Sequence, residues 1–131
     1  MASSIGGKPP AQTFALALGV VYLGIGLIGF AVTGGDGGTL LFFEINVVHN
    51  LVHLALGVAW LIASRTMATS KSVNLVAGIA LLVVAVLGFA GVLVPDLIAA
   101  NAADNVLHLV TGAASVFFGT AGAATRGPAA A

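Results

Sequence analysis

The sequence predicts an all-α fold: a four-helix transmembrane bundle built from two tandem two-helix hairpin repeats, with both termini cytoplasmic. Three observations predict it. Of 131 residues, 60% are hydrophobic and 6% charged, with a mean hydropathy of +1.16. A water-soluble domain carries roughly 25% charged residues, so eight charges, four of each sign, cannot solvate a surface of this size. The apolar residues fall into four runs of about 20, the length a helix needs to cross roughly 30 Å of hydrocarbon. Finally, the second half of the chain repeats the pattern of the first.

Residues 1–12 combine Ser, Gly and the pair Pro9-Pro10 and read as a flexible N-terminal tail. Residues 13–32 form the first span. One cation, Lys8, precedes it, and the run exceeds the 7–15 residues of a signal-peptide core, so it reads as a retained span. Residues 33–41 hold Gly34-Gly35-Asp36-Gly37-Gly38 and read as a flexible turn. The second span covers residues 46–64, with Phe43 as an alternative start, and residues 65–72 form a polar turn. The third span covers residues 73–94 and is closed by Pro95-Asp96. The fourth covers residues 105–124, with Asn101 as its earliest start, and residues 125–131 are a C-terminal tail. The transmembrane domain is thus residues 13–124, with one repeat over 13–65 and the other over 73–124.

Charge placement orients the bundle. Lys8, Arg65, Lys71 and Arg126 fall on the side of the N-terminus, while Asp36, Glu44, Asp96 and Asp104 fall on the other. By the positive-inside rule the basic side is cytoplasmic. Net charge is zero and no basic face exists, which leaves no nucleic-acid partner. The absence of cysteine excludes disulfides, thiolate catalysis and cysteine-ligated metal clusters.

The repeat is specific. Gly19 and Gly78 lie 59 residues apart, as do Gly29-Phe30-Ala31 and Gly88-Phe89-Ala90. Asn46/Asn101, Asn50/Asn105, His53/His108, Leu54/Leu109 and Gly57/Gly112 match at an offset of 55. Each hairpin contains an even number of spans, so both copies share one orientation and their pseudo-two-fold axis runs along the membrane normal. Small residues mark the expected packing stripes: Ser115, Gly119 and Ala123; Ala55, Ala59 and Ala63; and Gly19, Gly24, Gly26 and Gly29.

The chemistry lies in the repeated segment. His49 and His53 are four residues apart, as are Asp104 and His108, so each pair shares one helix face. Facing helices would gather His49, His53, Asp104 and His108, with Asn50 and Asn105 close by. His53 lies roughly 13 Å along the helix from Glu44 and roughly 18 Å from Arg65, deep enough that its side chain must face the interior and find partners. Several arrangements satisfy that demand. Asn46 and Asn101 cap helix starts while the histidines bond across the bundle. Alternatively, three imidazoles and the Asp104 carboxylate hold zinc, copper or iron, with Asn side chains supporting the rings. Or His53 and His108, at equal depth, ligate haem, with Gly57 and Gly112 leaving room for its edge. A path for protons or solutes along the same residues is the fourth.

Glu44 suits a helix N-terminus electrostatically, Trp60 reads as core, and Thr111 can bond its own helix backbone. No nucleophile triad is present: Ser115 lies two turns from His108, with no oxyanion site near it. No phosphate loop or dinucleotide fingerprint occurs.

The doubled Asn-x-x-His frame follows, in each copy, a span ending in Gly-Phe (Leu27-Ile28-Gly29-Phe30 and Val86-Leu87-Gly88-Phe89). In this the chain resembles a family of small bacterial four-span integral membrane proteins of unknown function. The likeness runs from about residue 13 to 124, with Asn50, His53, Asn105 and His108 at the family's characteristic positions. It implies a multi-pass protein of the bacterial plasma membrane and brings no activity with it. The expectation is therefore a non-enzymatic membrane protein holding a buried His/Asn/Asp cluster in the outer half of the bilayer. Its neighbours are lipid and, because its loops are too short to form a further domain, a partner in a larger membrane complex or a second copy of itself. The alternative is a metal- or haem-binding protein using His53 and His108, with His49 and Asp104 added for a metal.

Overall fold

The computed structural model describes residues 7–124. The expected tail over 125–131, with Arg126, lies outside them, as do residues 1–6. Among the described residues the regular structure is helical apart from one small hairpin: α1 (Pro10–Thr33), β1 (Gly38–Leu40), β2 (Phe43–Ile45), α2 (Val47–Ala63), α3 (Met67–Phe89), α4 (Val94–Ile98) and α5 (Ala102–Gly119). Two of the helices, α1 and α3, are long and apolar enough to cross a membrane.

Local chemistry sets the boundaries, and several differ from the sequence expectation. α1 begins at Pro10, inside the expected tail, because proline suits a first helical turn whose N–H groups have no helical partner. It ends at Gly34, whose φ of 60° leaves the helix. The glycine-rich segment is no loose turn: it leads into an antiparallel hairpin in which Gly38 pairs with Ile45, Thr39 with Glu44 and Leu40 with Phe43. The turn itself is Leu41-Phe42, with Leu41 at φ 56°, the positive φ a two-residue hairpin demands. Glu44 therefore lies in a strand rather than at a helix start.

The third helix is shifted toward the N-terminus. The expected polar turn over 65–72 shrinks because Thr66 caps α3, accepting a hydrogen bond from the Thr69 N–H at 3.2 Å. Ser70 Oγ donates to the Ala63 carbonyl at 2.9 Å, tying that first turn to the end of α2. At the other end α3 stops at Phe89. Gly91 and Leu93 take positive φ values of 69° and 61°, and Pro95 falls within the first turn of α4 rather than closing a span. α5 ends at Gly119, short of the expected residue 124.

α1 packs along α2 and α3 along α5. α1 and α3 meet between the two pairs, with lesser contacts of α2 on α3 and of α1 on α5. This leaves α2 and α5 facing each other across the wide diagonal. The starts of α1 and the ends of α2 and α5 share one end of the molecule: Gln12 Nε2 donates to the Ser64 carbonyl (2.9 Å) and the Ala11 N–H to the Ala123 carbonyl (3.1 Å).

Side-chain size, rather than polarity, separates the inner and outer faces of the long helices. α1 buries Ala11, Ala15, Gly19, Tyr22, Gly26 and Gly29 and exposes Val20, Val21, Leu27 and Ile28. Small inner residues let helix backbones approach closely where the surroundings are as apolar as the side chains. Ser115, Gly119 and Ala123 are buried as expected, but Ala55 and Ala59 are exposed and Gly24 touches nothing. The inner face of α2 instead carries His49, Asn50, His53, Gly57, Trp60 and Ala63.

Two glycine contacts are the tightest. A Cβ added to Gly29 would fall on the Asn50 amide, and one added to Gly88 on the Asn105 amide. Overpacking of this kind costs about 1–3 kcal/mol, and each amide is buried. Gly88→Ala should therefore lower the thermal midpoint of the purified protein by several degrees. Gly24→Ala, where the added methyl meets nothing, should leave it unchanged; equal midpoints for the two variants would contradict this packing.

Candidate functional site

The site is assembled at the starts of α2 and α5. Asn46 caps α2 by accepting the His49 N–H at 2.8 Å. Asn101 caps α5 by accepting the Asp104 N–H at 3.0 Å, and Asp104 Oδ2 accepts the Asn101 N–H in return at 2.9 Å, a reciprocal capping box. The amides of the two caps then cross between the halves. Asn46 Nδ2 donates to the Leu97 carbonyl at 3.1 Å, and Asn101 Nδ2 to the Phe42 carbonyl at 2.8 Å. One strand residue joins the two caps: the Glu44 N–H donates to Asp104 Oδ2 (3.1 Å), and its carbonyl accepts from His49 Nδ1 (3.1 Å).

Beneath these caps three imidazoles meet. His49, His53 and His108 are 1%, 4% and 2% exposed. Their ring centroids stand 4.5 Å (His49–His53), 5.7 Å (His49–His108) and 6.4 Å (His53–His108) apart. One nitrogen from each lies within 4.8 Å of the others. A carbonyl only accepts, so His49 carries a hydrogen on Nδ1, and in the neutral ring the lone pair lies on Nε2. Among the described residues, His49 Nε2, both nitrogens of His53 and His108 Nδ1 have no hydrogen-bond partner. A buried polar nitrogen left unpaired costs about 1–3 kcal/mol, so a ligand that accepts these lone pairs would relieve a standing penalty.

Asp104 and the asparagines do other work. Asp104 is buried, but its Oδ2 is committed to two backbone N–H groups, and it is not among the converging donor atoms. Asn50 and Asn105 lie against Gly29 and Gly88 at the helix–helix seams and hydrogen-bond no histidine. Aliphatic space flanks the imidazoles: a cavity of about 260 Å³ bordered by all three histidines with Val52, Val84 and Ile98, and one of about 110 Å³ bordered by His53 and Asp104 with Ile25 and Leu107.

The geometry separates the ligands weighed from sequence. Bis-histidine haem needs a flat slot around the midpoint of the His53–His108 pair, and the His49 ring occupies that place. A single small ion needs much less. Bonds of about 2.0–2.1 Å hold nitrogen ligands roughly 3.4 Å apart, so small side-chain rotations would close the trio on a metal. Ser115 Oγ is buried and donates to the Asn74 carbonyl at 2.6 Å.

A family model described as a domain of unknown function, DUF4383, matches residues 12–121. The chain belongs to the DUF4383 family. No curated protein matches it, and no solved structure does. The DUF4383 match spans every residue of the site, from Glu44 to His108, and carries no activity.

Toward the other end of this DUF4383 protein lies a second polar centre, absent from the sequence expectation. Asn74 is fully buried and touches all three other long helices. It accepts from Trp60 Nε1 at 3.0 Å, donates to the Ala11 carbonyl at 3.0 Å and the Phe118 carbonyl at 3.4 Å, and its own carbonyl accepts from Ser115. Its signal was a carboxamide just inside an apolar run; reading that position as the rim of a span hid it. Between the two centres, Tyr22 packs on His53 and on Trp60, each at 4.9 Å. The Thr111 hydroxyl donates to the Leu107 carbonyl, so the Tyr22 hydroxyl is the donor in their 3.1 Å bond.

Asn74→Ala orphans the Trp60 N–H and removes a donor from the Ala11 and Phe118 carbonyls, which should cost about 1–3 kcal/mol. Trp60 is the single tryptophan, so its emission should shift to the blue as the indole loses its acceptor. An unchanged spectrum and midpoint would contradict this hub.

Proposed function

We propose that this protein is a non-enzymatic, multi-pass protein of the bacterial plasma membrane that holds one transition-metal ion, zinc or copper, on His49, His53 and His108. One observation carries the reading: three buried imidazoles that bring one nitrogen each to within 4.8 Å of the others, with four of their ring nitrogens lacking a hydrogen-bond partner among the described residues. Metal-ligating histidines typically donate their second ring N–H to a carbonyl or carboxylate, and the His49 bond to Glu44 has that form.

The membrane part of the reading has its own support. α1 and α3 meet the length and hydropathy of a span. α2 and α5, of 17 and 18 residues, are about 25–27 Å long; they cross as well, with the hairpin and α4 filling the outer ends where these helices fall short. Val76, Val83, Val86, Val106 and Val110 face outward, as lipid contact requires. Lys8, Arg65 and Lys71 gather at the end where α1 starts, which is the cytoplasmic end by the positive-inside rule. Duplication of a hairpin accounts for the reciprocal Asn46–Leu97 and Asn101–Phe42 bonds and for the matching Gly29–Asn50 and Gly88–Asn105 contacts. Small loops and three buried imidazoles suit an accessory subunit that stores or buffers its ion within a larger membrane complex.

Elemental analysis of the protein purified in detergent tests this. The expected result is about one equivalent of zinc or copper per chain, retained or taken up by the apo protein, with affinity reduced roughly 100-fold or more in His53→Ala and His108→Ala while helicity persists. Protein that neither carries nor takes up either metal would refute the reading, leaving the cluster a structural one.

A further inference from the structure

Resting on that metal-site reading, we infer that the ion is monovalent: the three-histidine centre is built for Cu(I) rather than for a divalent cation.

Four features point the same way. The converging donors are all imidazole nitrogens, which bring no charge to the ion. Asp104, at 2% exposed, is the single buried carboxylate of the chain; Asp36, Glu44 and Asp96 are exposed. Its carboxyl group is held next to the centre through Glu44, whose backbone bonds Asp104 on one side and His49 on the other. One positive ion beside one carboxylate is neutral in total. A divalent ion would leave a net positive charge in an apolar interior, and the desolvation cost of an ion grows with the square of its charge.

Coordination number agrees with charge. Zinc in proteins is almost always four-coordinate, drawing its fourth ligand from a side chain or water. The space bordering all three histidines is the cavity of about 260 Å³, and its other walls are aliphatic, including Val52, Val84, Leu97 and Ile98. No side chain there offers a fourth donor, and nothing there stabilises a bound hydroxide. Cu(I), with half the charge of Zn(II), is satisfied by three nitrogens.

The repeat contains its own comparison. Asp104 occupies, in the second half, the position that His49 occupies in the first, at the offset of 55 that relates His53 to His108. His49→Asp would convert the donor set to two imidazoles and a carboxylate, adding the negative charge a divalent ion needs.

The apo protein is titrated in detergent with Zn(II) against a chromophoric chelator, and anaerobically with Cu(I) kept reduced by ascorbate against a Cu(I)-specific chelator. The expected result is one tightly held Cu(I), with Zn(II) bound roughly 100-fold more weakly, and a preference shifted toward Zn(II) in His49→Asp. Zn(II) binding as tight as Cu(I) in the unaltered protein would overturn the charge-matching inference and leave the three-histidine site standing. Uptake of neither ion would overturn both. If His49→Asp does not fold, the unaltered protein decides the matter alone.

Discussion

Polar groups deep in an apolar protein must find partners inside it, and nearly every feature of this fold follows from how that demand is met. Backbone groups meet it with helices. Helix starts meet it with Asn46, Thr66 and Asn101. Asn74 meets it by bonding to three neighbouring helices at once. Two groups are left over among the described residues: four imidazole nitrogens, and, at the glycine seams, both amide atoms of Asn50 with Asn105 Oδ1. Only the imidazoles also converge, one nitrogen of each within 4.8 Å of the others, and that convergence leaves them poised for an occupant.

The enclosure depends on parts that contribute no ligand. The hairpin carries Glu44 over the top of the site, where one residue fixes both the His49 tautomer and the Asp104 carboxylate. α4 supplies the Leu97 carbonyl that holds the Asn46 cap. The wide diagonal between α2 and α5 leaves room for three rings, while the close α1–α2 and α3–α5 seams, with glycine backbones against Asn50 and Asn105, set the rotation of the helices that bear them. Packing at the seams and chemistry at the centre are therefore coupled: a methyl group at Gly88 pushes on Asn105, three residues from His108.

The helical class was legible because hydropathy is a composition-level signal, and the paired spacing of His49 with His53 was legible because a helix repeats nearly every four residues. The Asn46 and Asn101 caps were readable from residue type and position. What was hidden required long-range pairing. Nothing local in Thr39-Leu40 and Phe43-Glu44 announces a hairpin whose turn is Leu41-Phe42 rather than the nearby glycines. The start of α3 was misread because Lys71, Ser70 and Ser72 look like a polar loop, although Thr66 can cap ahead of them. Asp104 read as a ligand because spacing shows which face a carboxylate shares and not which N–H groups already hold it. Asn74 escaped notice because its partners are 14 to 63 residues away in sequence.

The central claim is that three imidazoles from the two halves of the chain share one enclosed space. The chain contains three histidines, so labelling histidine alone isolates them in a solid-state NMR spectrum of protein reconstituted into bilayers. The account predicts through-space correlations joining all three rings, including His53 with His108 across the diagonal. Rings that show correlations to lipid acyl chains, and none to one another, would contradict it.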